Sequence, residues 1–264
     1  MQLSTDKILA EIDGAVGRLT INNQERRNAI SLEMWEGMEQ ALDVFAADDA
    51  VRCVVITGAG DKSFAAGADI SQFEKNRANA EAASRYSAVS LGARHKLLGF
   101  EKPLIARIRG FCIGGGLGIA LTTDIRIAAE DAQLGIPAAR LSIAYDGTNL
   151  SNLINLVGPS KAKEILFTAK RYTAAEAHAM GLVNQVVPVD ELDAAVAEIT
   201  DAIAENAPLS LRASKLTINE LAKDTGERDR AMMKDLSDTC FNSEDYQEGR
   251  RAFMEKRKPV FQGR

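Results

Sequence analysis

Two stretches rich in glycine and alanine hold the residues whose types and spacing could do chemistry. The first is Ser63–Ile70 (SFAAGADI), and the second, 110–116, ends in three consecutive glycines. Each follows an apolar stretch typical of a strand and precedes a predicted helix. Small residues let a ligand approach the backbone, and the first N–H groups of a helix have no intrahelical partner. Two such loops could direct two backbone N–H groups at one oxygen, which is the geometry of an oxyanion hole.

Both stretches also have a purely structural interpretation. A Gly-rich turn is equally expected where a helix packs closely against a sheet. Asp69 is placed to cap the helix predicted to begin near Ile70. From the residues alone, the anion site and the tight turn therefore both stay open.

Composition excludes several classes of protein. The chain has 264 residues, of which 46% are hydrophobic and 26% charged, with a net charge of −5. This acidity argues against nucleic acid or an anionic membrane as the main partner. Three scattered cysteines and two distant histidines offer neither a disulfide framework nor a His-based metal site. With no signal-like or membrane-spanning stretch, we expect a cytoplasmic protein without a metal.

The elements that must position the two loops follow a repeated strand–strand–helix order. Strands are predicted at 51–57, at the start of 103–122, at 124–128 and at 132–136. Beyond Asp190 the pattern is almost entirely helical, with helices predicted at 191–205, 208–222, 226–241 and 243–256. The change in composition near Pro188 predicts a core of residues 1–188, which would carry the active site, and a helical oligomerisation region of residues 189–264.

An ordered set of residues along the whole chain resembles the enoyl-CoA hydratase/isomerase, or crotonase, superfamily. The shared residues are Glu25–Ile30, Ser63–Ile70, Gly110, Gly114–Gly116, Asp124, Gly135, Pro137, Gly181–Val183 and Gly249–Lys258. The resemblance implies an α/β fold, a crotonase-like spiral of ββα turns with a C-terminal helical trimerisation region. It also implies an enzyme of fatty acid metabolism that acts on an acyl-CoA thioester.

The resemblance assigns the oxyanion donors to the backbone N–H groups of Ala68 and Gly115. Held there, a thioester carbonyl would become more electrophilic and its α-proton more acidic. Family hydratases also use two glutamates, whose positions are Gly118 and Ala138 in this chain. Neither residue can transfer a proton, so ordinary hydration by a glutamate pair is not expected.

Asp146 is the candidate acid/base. An aspartate at this place transfers protons in dienoyl-CoA isomerases and is the nucleophile in 4-chlorobenzoyl-CoA dehalogenase, although that enzyme's tryptophan is replaced here by Ala138. The alternative for Asp146 is a helix N-cap within an Asp-Gly turn. Tyr145 is similar to a tyrosine of methylmalonyl-CoA decarboxylase, and its alternative is a packing aromatic.

The resemblance also implies a site for coenzyme A. The adenine would lie along the first loop, and a neighbouring subunit would add an aromatic and a lysine from its last helix. The residues assigned to this site are Arg26, Arg27, Ala66, Ala68, Asp69, Ile70, Phe253 and Lys256. For the last helix the alternative is a solvated basic end, which the helix dipole favours.

Taken together, the sequence predicts an acyl-CoA enzyme that stabilises a thioester enolate and performs isomerase or lyase chemistry on an enoyl-CoA. The alternatives are a hydratase with a rearranged site, a decarboxylase, an Asp-nucleophile thioesterase or dehalogenase, and a non-catalytic CoA-binding protein. An RNA-binding role is least favoured. We expect no cofactor beyond the coenzyme A moiety of the substrate, and a homotrimer or a dimer of trimers.

Overall fold

The structure is a computed structural model that describes residues 3–69, 80–145 and 147–264. The strands are β1 (Ile8–Asp13), β2 (Val16–Ile21), β3 (Cys53–Gly58), β4 (Ser63–Ala65), β5 (Leu104–Ile108), β6 (Phe111–Ile113), β7 (Ile125–Ala129), β8 (Gln133–Gly135), β9 (Tyr172–Thr173) and β10 (Gln185–Val187). The helices are α1 (Leu32–Ala47), α2 (Ala80–Leu98), α3 (Gly115–Ala120), α4 (Gly147–Thr168), α5 (Ala174–Ala179), α6 (Leu192–Glu205), α7 (Pro208–Leu221), α8 (Arg230–Phe241) and α9 (Glu244–Glu255).

Two sheets run side by side through the chain. The larger has the order β1-β2-β3-β5-β7-β10 and the smaller the order β4-β6-β8-β9. From β3 to β8, each successive turn of chain gives one strand to each sheet, and the strands of neighbouring turns pair in parallel, as β3 does with β5 and β4 with β6. β1 pairs with β2, and β8 with β9, in antiparallel fashion. This confirms the predicted spiral of ββα turns followed by a helical C-terminal region.

Alternation along β3 shows how the six-stranded sheet is covered on both faces. Val54 and Ile56 belong to a large core cluster that also includes residues of α1 and α3. Cys53 and Val55 point the other way, into a second cluster with α6 residues such as Leu192. Because α6 covers this outer face, the first helix of the tail packs directly on the core. The division at residue 188 stays a prediction.

Local residue patterns determine where several helices begin or break. α4 is interrupted at Gly158, whose φ of 73° and ψ of 164° are not helical, just where the Gly-Pro pair predicts a break. α8 begins at Arg230 instead of the predicted 226, because the Asp229 carboxylate caps it by accepting the Met232 N–H at 2.8 Å. No helix in the described ranges is long and apolar enough to cross a membrane.

The last residues of the chain fold back onto the start of α9. Asp245 is only 3% exposed, and its carboxylate accepts the N–H groups of Gln262 and Gly263 at 2.7 and 2.8 Å. Farther along α9, Glu248 accepts the Val260 N–H at 3.0 Å. The C-terminal segment is thus an ordered part of the helical region.

Candidate active site

The first loop leaves β4 and runs beside the segment that precedes α1. Ile30 donates its N–H to Gly67 O at 2.8 Å and accepts the Asp69 N–H at 3.0 Å. This parallel bridge uses the groups on either side of Ala68. Since successive residues of an extended chain direct their N–H groups to opposite edges, the Ala68 N–H faces away from Ile30.

The second loop joins β6 to α3 through a conformation that suits glycine alone. Gly114 has φ 56° and ψ −118°, and its N–H is anchored on Gly135 O at 2.8 Å. Two residues later, a Cβ on Gly116 would lie 2.1 Å from Ala65 O. The absence of that carbon lets α3 pack directly on β4, which draws the second loop against the first.

The two predicted oxyanion donors meet where these loops touch. A Cβ built on Gly115 would lie 3.6 Å from Ala68 N, and one built on Gly67 would lie 3.6 Å from Gly115 N. Ala68 and Gly115 are both half-buried. In the described part of the chain, neither N–H donates a hydrogen bond. The arrangement can therefore present two open N–H groups to one ligand oxygen.

Two polar side chains fill the space in front of Gly118. A Cβ there would meet the Tyr145 hydroxyl at 3.1 Å and the Asn149 amide oxygen at 3.2 Å. The Tyr145 hydroxyl also donates to Gly114 O at 3.1 Å, so predicted site residue Tyr145 lies beside the second loop. Asn149 was not predicted from the sequence. Its signal is position, because it precedes the core residue Leu153 by four places and continues the buried stripe of α4.

Ala138 also lies near the second loop. It opens a 3-10 turn after Pro137, whose Cδ would be 4.0 Å from a Cβ on Gly114. Gly118 and Ala138, the two positions to which the resemblance assigns the hydratase glutamates, are thus close to the same loop, and neither bears a carboxylate. Asp146 and Ile70, both predicted site residues, lie outside the described residues.

The predicted coenzyme A residues near the N-terminus flank the first loop. Ala66 donates its N–H to Arg27 O at 3.0 Å, and the Arg27 guanidinium lies over the Phe111 ring, 5.3 Å from its centroid. Arg26 is exposed beside it. These positions place two cations next to the loop that contains Asp69.

The predicted coenzyme A residues of the last helix lie elsewhere. Phe253 is 83% exposed, and Lys256 ends α9 with a left-handed φ of 53°. Within the described ranges, no hydrogen bond or ion pair joins either side chain to the two loops.

Two ionisable residues of β6 and β7, Cys112 and Arg126, are buried. Burial raises the pKa of the Cys112 thiol in β6 and keeps it protonated. Burial also lowers the pKa of Arg126 to about 10, and its guanidinium donates to the carbonyls of Leu182 and Thr123. Charge for acid/base chemistry must come from other groups.

Known proteins match this chain along its length. Residues 11–264 match the family model described as enoyl-CoA hydratase/isomerase. A short-chain-enoyl-CoA hydratase of Clostridium acetobutylicum is 35% identical over 256 residues, which cover 97% of each chain. A crotonyl-CoA hydratase of Syntrophomonas wolfei is 36% identical over 259 residues, or 98% of this chain and 99% of that protein.

Solved structures agree with these relatives. An enoyl-CoA hydratase/carnithine racemase from Magnetospirillum magneticum superposes with a TM-score of 0.94 at 38% identity, covering 99% of this chain and 97% of the other. Two loops that bring a pair of backbone N–H groups together, a spiral of ββα turns and matches over the full length all agree. The chain belongs to the enoyl-CoA hydratase/isomerase family.

Proposed function

We propose that this protein binds an acyl-CoA thioester with its carbonyl oxygen between the N–H groups of Ala68 and Gly115, and that it stabilises the enolate formed there. The observation that carries this proposal is the meeting of the two loops, each donor lying 3.6 Å from the Cβ position of the other loop's glycine. Both donors are backbone groups, so they do not depend on the side chains that differ between family members.

The chemistry follows from where charge develops. When a base removes the α-proton, the C–H electron pair moves into the Cα–C bond and the carbonyl oxygen gains negative charge. Preformed N–H donors stabilise that oxygen most once the charge is present, and losing one such donor typically costs roughly 100- to 1000-fold in rate. The reaction needs no cofactor beyond the coenzyme A moiety of the substrate.

The reaction that fits best is double-bond isomerisation or a related lyase step on an enoyl-CoA. Gly118 and Ala138 cannot exchange protons, and the hydroxyl and amide of Tyr145 and Asn149 occupy the space before Gly118. Asp146 is the proposed base. Its carboxylate would take the α-proton and return a proton to the γ-carbon, so the double bond moves while the atoms of the substrate are conserved.

The test is hydrogen exchange with a panel of CoA thioesters in deuterium oxide, followed by mass spectrometry. The panel contains saturated, 2-enoyl, 3-enoyl, dienoyl and malonyl-type thioesters. We expect α-deuteration or conversion of at least one member, with a loss of at least about 100-fold in Asp146→Asn. Asp13→Asn is the matched control, because it makes the same change in the Asp-Gly turn of the β1–β2 hairpin.

Two other results would change the proposed function. Exchange that is unchanged in Asp146→Asn would remove Asp146 from the acid/base role while keeping the oxyanion site. Tight binding of coenzyme A with no exchange or product for any thioester would favour the non-catalytic binding protein.

Hydration of a short enoyl-CoA is the second candidate, because the two relatives described above are named as hydratases. The protein would then add water without carboxylates at positions 118 and 138. Incubation with crotonyl-CoA in ¹⁸O-labelled water distinguishes the reactions: hydration puts one labelled oxygen on the β-carbon, whereas isomerisation adds no oxygen.

The proposed assembly is a homotrimer or a dimer of trimers. Its support is the exposure of two neighbouring apolar side chains on α9, Phe253 at 83% and Met254 at 81%. Contact with another copy would bury them and would bring Phe253 to a neighbour's coenzyme A site. Sedimentation or light scattering of the purified protein measures the assembly directly.

A further inference from the structure

We infer that Tyr145 is a positioning residue that acts on the oxyanion site through the backbone, by holding and polarising the peptide group that carries the Gly115 N–H. The inference rests on the proposed function of that N–H. It gives Tyr145 a role other than direct contact with a substrate carboxylate, as a decarboxylase-like site would require.

One peptide group connects the Tyr145 hydroxyl to the Gly115 N–H. The carbonyl of Gly114 and the N–H of Gly115 belong to the same planar unit, so the orientation of one fixes the orientation of the other. Gly114 O accepts two hydrogen bonds, from the Tyr145 hydroxyl at 3.1 Å and from the Gly118 N–H at 2.9 Å. The opposite end of that unit, Gly115 N, donates to no group of the described chain.

The peptide needs such an anchor because glycine lies on both sides of it. Glycine has access to most of the φ/ψ map, so a Gly-Gly peptide can rotate its plane at little steric cost. Of the two bonds that hold Gly114 O, the one from Gly118 belongs to the first turn of α3, and the one from Tyr145 comes from outside it. Tyr145 therefore opposes rotation that would turn the Gly115 N–H away from the ligand.

The hydroxyl also strengthens the donor. A hydrogen bond to a peptide oxygen draws electron density toward that oxygen and makes the N–H of the same unit a better donor, which is the cooperativity expected of hydrogen-bond chains. The 3.1 Å separation is slightly longer than is usual for an O–H···O bond. It can shorten as negative charge on the ligand oxygen polarises the peptide further.

Glycine at position 118 follows from the same arrangement. A Cβ there would lie 3.1 Å from the Tyr145 hydroxyl, closer than a methyl group normally approaches. Glycine at position 118 therefore leaves the hydroxyl a clear route to Gly114 O, which a side chain there would crowd.

The experiment compares the wild-type protein with Tyr145→Phe, using a para-amino-substituted cinnamoyl-CoA. The absorption of this conjugated thioester moves to longer wavelength as its carbonyl is polarised. We expect the wild-type protein to cause a clear red shift and Tyr145→Phe to lose about half of it or more. For the substrate found by the exchange panel, kcat should fall roughly 3- to 30-fold with KM changed less than about 3-fold, below the effect of losing a donor outright.

Two further variants complete the design. Tyr172→Phe removes a different tyrosine hydroxyl, one that bonds to Glu164, and should keep the full shift. Gly118→Ala should displace the Tyr145 hydroxyl without removing it. The double variant of Gly118→Ala with Tyr145→Phe should lose no more than Tyr145→Phe alone, because both changes break one interaction.

The outcomes separate the inference from the function on which it rests. A wild-type protein that binds the probe without a red shift would overturn the oxyanion site itself. A red shift that survives intact in both Tyr145→Phe and Gly118→Ala would overturn the positioning role alone. Should Tyr145→Phe fail to fold, as judged by thermal unfolding, Gly118→Ala carries the test by itself.

Discussion

Three glycines of α3 lack a Cβ at positions where different neighbours lie close to the helix, and each absence has a different effect. The one at Gly116 lets the helix touch Ala65 of β4, and the one at Gly118 admits the Tyr145 hydroxyl. The gap at Gly115 is the only one of the three that faces a backbone N–H, that of Ala68. A methyl group added at each position should therefore have a different consequence.

Gly115→Ala should separate folding from activity. The added Cβ would contact Ala68 N and Gly67 at 3.6 to 3.7 Å, which is ordinary van der Waals distance, and alanine favours the helix by up to about 1 kcal/mol. We expect an unfolding temperature equal to or above that of the wild-type protein. The methyl group would cover the Gly67–Ala68 peptide, so turnover of the thioester should fall by roughly 100-fold or more.

The measurement combines thermal unfolding with the deuterium-exchange assay. Gly226→Ala is the control, since a Cβ at Gly226 would meet nothing within 4 Å and the residue lies in the exposed turn between α7 and α8. Full activity in Gly115→Ala would show that the ligand oxygen does not lie between the two N–H groups.

At the scale of elements, one buried amide ties the segment before α1 to the turn that leads into the first loop. Asn28 is 1% exposed, and its Nδ2 donates to Ala59 O at 3.0 Å and Ser63 O at 2.7 Å, across the turn that leads into β4. Its Oδ1 accepts the Asn23 N–H. The backbone at Asn28 is left-handed, with φ 57°, a conformation that asparagine tolerates better than most residues.

Asn28→Ala should destabilise the protein through both its side chain and its backbone. Leaving buried carbonyls without donors and placing alanine at positive φ should together cost roughly 2 to 4 kcal/mol. Asn28→Gly loses the same hydrogen bonds but relieves the backbone, so it should be more stable than Asn28→Ala by about 1 kcal/mol. Urea unfolding gives both values, and equal stabilities for the two variants would show that backbone strain contributes nothing.

A second element, α9, carries a carboxylate that should make stability depend on acid. The hydrogen bonds of Arg257 and of the Val260 N–H lower the pKa of Glu248 from 4.5 to about 2. A carboxyl group whose pKa is lower in the folded state stabilises the fold above its unfolded pKa, and this contribution is lost as the pH falls through the folded value. The relevant window therefore runs from about pH 4.5 down to about pH 2.

Glu248→Gln should be less stable than the wild-type protein at pH 7, and the difference should shrink as the pH is lowered through that window. Denaturant unfolding at a series of pH values measures it. Glu227→Gln changes an exposed carboxylate between α7 and α8 and serves as the control. A stability difference for Glu248→Gln that is constant from pH 7 to pH 2 would contradict the assigned ionisation.

Structural features that depend on a few neighbouring residues were predicted well from the sequence. The Thr-x-x-Glu pattern predicts the capping box that Thr173 and Glu176 form at the start of α5, and the Gly158–Pro159 pair predicts the break in α4. Both depend only on near neighbours. The start of α8 was misplaced because the Asp229 cap competes with a helical pattern that extends farther back. The resemblance supplied Ala68 and Gly115, and the meeting of their loops follows from how turns of the spiral stack.

At the scale of the whole molecule, two contacts between distant turns were not predicted. Tyr145 and Gly114 are 31 residues apart, and Asn149 reaches Gly118 from a different helix. The hydrophobic periodicity within one element does not predict a contact between side chains of different elements. α6 is a similar case, because its helical pattern was predicted but its place against the outer face of the six-stranded sheet depends on the complete fold.

The largest question at this scale is whether one chain holds a whole site. Phe253 and Met254 are mostly exposed on α9, and within the described ranges no hydrogen bond or ion pair ties Phe253 or Lys256 to the loops of Ala68 and Gly115. If Phe253 covers the coenzyme A of a neighbouring subunit, each site needs an intact Gly115 in one chain and an intact Phe253 in another. Two defective variants could then complement each other.

Mixing Gly115→Ala with Phe253→Ala subunits tests this directly. In a mixed assembly, a Phe253→Ala chain keeps its own oxyanion site and receives Phe253 from a Gly115→Ala neighbour. After unfolding and refolding together, the mixture should therefore exceed the average of the separately refolded variants at low substrate concentration, where the missing aromatic weakens binding most. If Phe253 instead serves its own chain, every site in the mixture keeps one defect, and the activity should equal that average.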